Sequence, residues 1–155
     1  MSEADERLLD GAELAAGEDV LVLGGGALVF GAHDRIGDGW VYVVRSQVDE
    51  LEELLGEAHG SGAAGVAYLV GDAPVLPLPD DAVAAAIGRV GADDLTEAAR
   101  ELFRVLRPAG RVSLAVPDAA AANALRASLT EAGFLRVGAG DAVEETLVTA
   151  SRPVT

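Results

Sequence analysis

The sequence predicts an α/β domain: a seven-stranded, mostly parallel sheet with only its last strand antiparallel and helices on both faces. Three observations carry this. Short, continuously apolar runs alternate with amphipathic helical stretches, the pattern of parallel strands covered on both sides. The first run, "VLVLGGGALVFG" from Val20 to Gly31, stops on three glycines and resumes as a second apolar run, the form of a strand turning sharply into a helix. Half of the 155 residues are apolar but only 4% are aromatic, so Ala, Val, Leu and Gly carry the packing, and such small side chains suit helices laid on a sheet. The length fits one domain and leaves no room for a separate substrate domain, so any ligand site is built on the one sheet.

Each element has its own signal. Residues 1–18 form an acidic N-terminal helix or arm, and residues 19–155 form the domain proper. The predicted strands are Asp19 to Leu23, Trp40 to Val44, Gly65 to Val70, Ala82 to Gly88 and Arg111 to Val116. A helix starts near Ala27. "SQVDELEELLGEA" opens with Ser46 and Asp49 in capping-box spacing and puts Val48, Leu51, Leu55 and Ala58 on one face. "DLTEAARELFRVL" repeats Leu95, Ala98, Ala99, Leu102, Phe103 and Leu106 at offsets of three and four. "DAAAANALRASLTEAG" runs from an Asp118 N-cap to Gly133 as the residue that ends the helix. The tail "FLRVGAGDAVEETLVTA" reads as a closing hairpin with "GAGD" at its tip.

Composition narrows the function. The net charge of −15 repels phosphate backbones and anionic lipid headgroups, so neither nucleic acid nor a membrane is an expected partner. There is no Cys, which removes disulfides, thiolate metal sites and cysteine nucleophiles, and His33 and His59 lie in different segments, so no metal site is predicted. The N-terminal stretch lacks the basic start and apolar centre of a signal peptide, and no apolar run is long enough to span a bilayer; a cytoplasmic location is expected. His33 and His59 read as helix C-terminal cations and Asp80 and Asp81 as a solvated turn after "LPLP".

In a parallel sheet, ligands sit beyond the carboxyl ends of the strands, where strand order reverses. Gly24, Gly25 and Gly26 stand at that end of the first strand, where they permit positive φ and close backbone approach, and the next helix points its free N–H groups into the turn. Dinucleotide folds carry an acid for the ribose hydroxyls at the end of the next strand. Here that residue is Arg45. A guanidinium only donates, so it cannot accept from ribose hydroxyls, though it suits a phosphate such as the 2′-phosphate of NADP.

Taken together, the segments resemble the class I S-adenosylmethionine (SAM) methyltransferases, especially the small-molecule group that includes the ubiquinone-biosynthesis and arsenite methyltransferases. "VLVLGGGALVF" is similar to that family's first motif and "GDGWVYVVRSQVDELEEL" to its second strand and helix. "VAYLVGDAPVLPLPDDAVAAAI" is similar to the third strand, acidic loop and fourth strand, and "LTEAARELFRVLRPAGRVSLAV" to the helix, Pro-Gly turn and fifth strand. "LTEAGF" is similar to the link before the last two strands. The resemblance implies a Rossmann-like sheet with SAM as cofactor. The implied binding set is Gly24, Gly25 and Gly26 in the turn, Arg45 and Ser46 after the second strand, Asp72 and Ala73 in the acidic loop, and Arg89 past the fourth strand as an anion receiver.

The departures from the family are chemical. Val22 stands where the family often has an acid, Leu28 replaces the third glycine and raises a steric objection, and Arg45 replaces the ribose-binding acid. Ala84 replaces the fourth-strand Asp, and Ala109 the first glycine of the Pro-Gly turn. Methyl transfer is a direct displacement that needs a positioned nucleophile and a dry site, and a small lid is expected here. No catalytic residue is assigned. Two functions follow: a divergent methyltransferase acting on a small molecule through a weakened SAM site, or a catalytically inactive domain of the same fold that serves as a binding or assembly partner. The partner is then a small-molecule substrate or a protein, with a homo-oligomer also open.

Overall fold

The computed structural model describes residues 3–24, 27–45, 65–71, 75–91, 94–142 and 145–154. The chain runs α1 (Glu3–Ala12), β1 (Val20–Leu23), α2 (Ala27–Ile36), β2 (Val41–Arg45), β3 (Val66–Val70), β4 (Val83–Arg89), α3 (Leu95–Val105), β5 (Leu106–Val116), α4 (Ala119–Ala132), β6 (Leu135–Ala142) and β7 (Glu145–Ser151). The seven strands form one sheet in the order β3-β2-β1-β4-β5-β7-β6. β1 to β5 are mutually parallel, and β7 runs antiparallel to both β5 and β6. The predicted sheet, with its single reversed strand, is the observed one.

Alternation along β1 sets the two layers. Val20 and Val22 belong to a buried cluster with Leu8, Leu9 and Ala12 of α1 and Leu28, Val29, Ala32 and Ile36 of α2. Leu21 and Leu23 belong to the opposite cluster, with Ala99, Leu102 and Val105 of α3 and Ala122, Leu125 and Leu129 of α4. Every one of these side chains is 5% exposed or less. α4 forms where its cap is written: the Asp118 carboxylate accepts from the Ala121 N–H at 2.8 Å, and Gly133 ends the helix at φ 113°. Pairs such as Val20 with Val41 and Val83 with Leu106 fix the register, and the crossovers place α1 and α2 on one face and α3 and α4 on the other.

Two boundaries differ from the sequence reading. "GAGD" is not a hairpin tip: Gly138, Ala139, Gly140 and Asp141 lie inside β6, paired with Thr149, Val148, Leu147 and Thr146, and the pairing of Ala142 with Glu145 moves the turn beyond them. Glycine read as a turn signal was here strand backbone without side chains. β5 also begins earlier than Arg111. Leu106 already pairs with Val83, and the register then shifts so that Ala85 meets Arg111, which turns "RPAG" into a bulge inside the strand. Ala109 sits in that bulge at φ 67°, a left-handed conformation that favours glycine. The helix expected from Ser46 to Ala58 lies outside the described residues, as does His59.

Candidate functional site at the carboxyl edge

Strand order reverses between β1 and β4, and the ends of β2, β1 and β4 lie side by side at that point. Leu23 pairs with Val44 on one side and with Gly88 on the other, so Gly24, Arg45 and Arg89 emerge from three adjacent strands on one edge. Gly25, Gly26, Ser46, Asp72 and Ala73 lie outside the described residues.

The backbone of this edge needs glycine. Gly24 has φ 113°. Gly88 has φ 142°, and a Cβ there would sit 1.9 Å from the Leu23 carbonyl oxygen, so in this conformation no side chain fits beside β1. A Cβ on Gly71 would lie 2.7 Å from Pro77 Cδ, so this glycine lets the segment after β3 fold back on the strand end. That segment is then pinned from α3. Glu101 accepts from the Leu76 N–H at 2.8 Å, and Arg104 donates to the carbonyls of Leu78 at 2.8 Å and Leu76 at 3.1 Å. The bond from Arg104 holds the Glu101 carboxyl below its ordinary range against the opposing effect of burial, with the Leu76 N–H adding to the lowering.

Leu28 is fully buried with Leu8 and Leu9. Its steric objection therefore takes another form: the side chain fills the core between α1, α2 and the sheet rather than standing over the turn. Asp80 and Asp81 do not form an acid-base pair, because Asp80 bonds to Arg104 at 3.0 Å and Asp81 to Arg152 at 2.8 Å. His33 does lie in the last turn of α2.

Arg89 meets carboxylates of its own chain. Its Nη2 lies 2.8 Å from Asp5 Oδ1 on α1. Its Nε donates to Glu145 Oε2 at 3.0 Å, and its Nη2 to Glu145 Oε1 at 3.1 Å, at the start of β7. Burial lowers the guanidinium's pKa, but the bonds to Glu145 and then Asp5 outweigh it, so the pKa is raised and the group stays charged. The cluster thus joins α1, β4 and β7 across the carboxyl edge with one cation between two anions.

Sequence reasoning missed Gly88, Asp5 and Glu145. A lone glycine in "AAAIGRV" does signal close backbone approach. Asp5 and Glu145 carried no signal, because charged residues far apart in the chain meet only through the topology.

The donors present fit SAM in part. Toward SAM, the described residues offer the positive φ of Gly24 and the close glycine contact at Gly88, β2 ends on an arginine rather than a carboxylate, and Arg89 is paired within the chain. Among the described residues no group of three or more His, Asp or Glu is placed to hold a metal ion.

No protein-family model and no curated protein matches this chain. Solved structures do. A SAM-dependent methyltransferase from Aquifex aeolicus aligns with a TM-score of 0.78 at 20% identity over 95% of this chain and 88% of its own. The [4+2]-cyclase SpnF aligns with a TM-score of 0.78 at 18% identity, over 97% of this chain and 80% of its own. A chain from the complex of the Haloferax volcanii Trm112 methyltransferase activator aligns with a TM-score of 0.75 at 18% identity, over 97% and 88%. These likenesses establish the fold and nothing finer, and a cyclase among them shows that the fold does not dictate methyl transfer. The chain has the fold of the class I SAM-dependent methyltransferases.

Proposed function

We propose that this chain is a divergent SAM-dependent methyltransferase-like protein that holds the cofactor weakly and, when active, methylates a small molecule. One observation supports the reading: at the carboxyl edge Gly24 has φ 113°, Gly88 leaves no room for a side chain beside Leu23, and β2 ends on Arg45, where the resemblance implies a ribose acceptor. This glycine cradle positions a ligand backbone, and the missing acceptor removes two hydrogen bonds to a charged group, each contributing about 1.5 to 3 kcal/mol at best.

A second reading rests on the Asp5, Arg89 and Glu145 cluster. Ion pairs that close the carboxyl edge suit an inactive domain of this fold that serves as a binding or assembly partner. The solved complex with the Trm112 methyltransferase activator is a precedent for a protein partner on this fold.

Calorimetric titration with SAM and its demethylated product tests both. The first reading expects a dissociation constant weaker than about 100 μM but measurable. Binding at about 1 μM would overturn the weakened site, and no heat at millimolar ligand would leave the partner module.

A further inference from the structure

A cavity of about 320 Å³ opens at the other end of the sheet, beside Gly11 and Glu13 at the end of α1, the bulge of β5 at Ala109 and Arg111, the start of β6 and the end of β7. Its size is at the small end of the range for ligand pockets. It is independent of the carboxyl-edge crevice and of the function proposed for that crevice.

Its backbone is strained in three places. Glu13 (φ 50°), Ala109 (φ 67°) and Arg136 (φ 55°) all line it, three of the five positive-φ residues other than glycine among the described residues. Left-handed conformations of such residues persist where surrounding structure enforces them, and they concentrate at ligand clamps.

The side chains define a chemistry. Three arginines line the cavity, and two are committed to the framework: Arg111 to Glu18 at 2.7 Å and the Ala12 carbonyl at 2.6 Å, and Arg152 to Asp81 at 2.8 Å. Arg136 is exposed and forms no ion pair with a described residue, so its planar fork of donors faces solvent at the rim. Behind the wall lies Ser113, fully buried, its Oγ without a hydrogen-bond partner among the described residues. It pairs across the sheet with Thr149, and a Cβ on Gly11 would lie 2.7 Å from Ser113 Oγ; Gly11 and Thr149 both line the cavity. Leu135 and Val154, 54% and 74% exposed, supply an apolar side.

We propose that this cavity binds a small aliphatic monocarboxylate, with its carboxylate on Arg136 and its hydrocarbon body against Leu135 and Val154. Glu13 on the same rim and the net charge of −15 oppose a dianion, which sets phosphate esters apart from a single carboxylate.

The experiment is titration of the full chain with hexanoate, followed by calorimetry and by NMR shifts at residues 135–138 and 149–154, with acetate and inorganic phosphate as comparisons. Hexanoate should bind more tightly than either. Arg136→Gln should weaken it by about tenfold or more, as loss of a charge-assisted bond implies, with an unchanged melting curve. Arg136→Lys should retain part of the affinity, and Leu135→Ser should weaken hexanoate but not acetate. No hexanoate binding by the wild type up to about 10 mM, or equal binding by Arg136→Gln, would overturn the site. Phosphate binding more tightly than hexanoate would overturn the ligand class.

Discussion

The two edges of the sheet use arginine differently. At the amino edge, three arginines each bond both to a carboxylate and to a main-chain carbonyl: Arg107 to Asp19 and Ala82, Arg111 to Glu18 and Ala12, and Arg152 to Asp81 and Phe103. At the carboxyl edge, Arg89 bonds to the side chains of Asp5 and Glu145. A guanidinium that satisfies carbonyls at the ends of helices and strands is a fixed part of the backbone's hydrogen-bonding scheme. One held by carboxylates alone can change partners without orphaning the main chain. Among the described residues, the amino-edge arginines are thus tied to the main chain and Arg89 of the carboxyl edge to side chains.

The largest expected effects lie where both edges demand the same thing of the backbone. A Cβ on Gly39 would stand 1.9 Å from the Glu18 carbonyl oxygen at the amino edge, and one on Gly88 would stand 1.9 Å from that of Leu23 at the carboxyl edge. Gly39→Ala and Gly88→Ala should each destabilise the chain by about 4 kcal/mol or more in urea unfolding, the range kept for forced overlap. A near-normal midpoint for Gly88→Ala would show that β1 and β4 can separate and that the carboxyl edge is softer than described.

The arginines then separate the edges. Arg152 donates to the carbonyls of Phe103 and Leu106 as well as to Asp81, and lies 4.6 Å above the Phe103 ring. Arg152→Met should lose about 2 to 3 kcal/mol, since it strands partly buried carbonyls. Arg89→Met should also lose about 1 to 3 kcal/mol, because it leaves the Asp5 and Glu145 carboxylates, 13% and 22% exposed, without their cation. That loss is charge repulsion and should shrink as the carboxylates protonate below about pH 4, whereas the carbonyl part of the Arg152→Met loss should persist; the same pH dependence for both variants in chemical denaturation would erase the distinction between the edges.

Ala109→Gly should instead stabilise the protein, by about 1 kcal/mol, since a left-handed alanine is strained by about that much beyond what glycine's extra chain entropy offsets. An unchanged or lower Tm would mean that the bulge is not strained.

The smallest effect concerns pH. Glu101 is held below its ordinary pKa chiefly by the Arg104 bond. Its contribution to stability is therefore complete above the unfolded-state value of about 4.3 and fades as pH falls through the lower folded-state value. Glu101→Gln should flatten that acid limb of the stability curve while leaving neutral-pH behaviour nearly parallel to the wild type. An acid limb identical in the two proteins would contradict the assignment.

What was legible in the sequence follows from which interactions are local. The buried strands announced themselves because continuous apolar runs need no knowledge of neighbours, and α4 announced its ends through Asp118 and Gly133. The closing hairpin was legible as two strands but not at its turn, because glycines inside β6 look like turn glycines until their partners Thr149 and Leu147 are known. At the carboxyl edge the sequence singled out Gly24, whose φ of 113° is one that favours glycine. It could not expose the pairing of Arg89 with Asp5 and Glu145, which depends on α1 and β7 meeting at β4.

The proposed function holds that this edge keeps a cofactor cradle while Arg45 stands in place of a ribose acceptor. Parallel SAM titrations of the wild type and Arg45→Asp test it most directly. The account predicts weak binding by the wild type and a gain of about tenfold or more in the variant, as restored hydrogen bonds to a carboxylate would give. Tight binding by the wild type that Arg45→Asp weakens would contradict it, and would make Arg45 itself a cofactor contact.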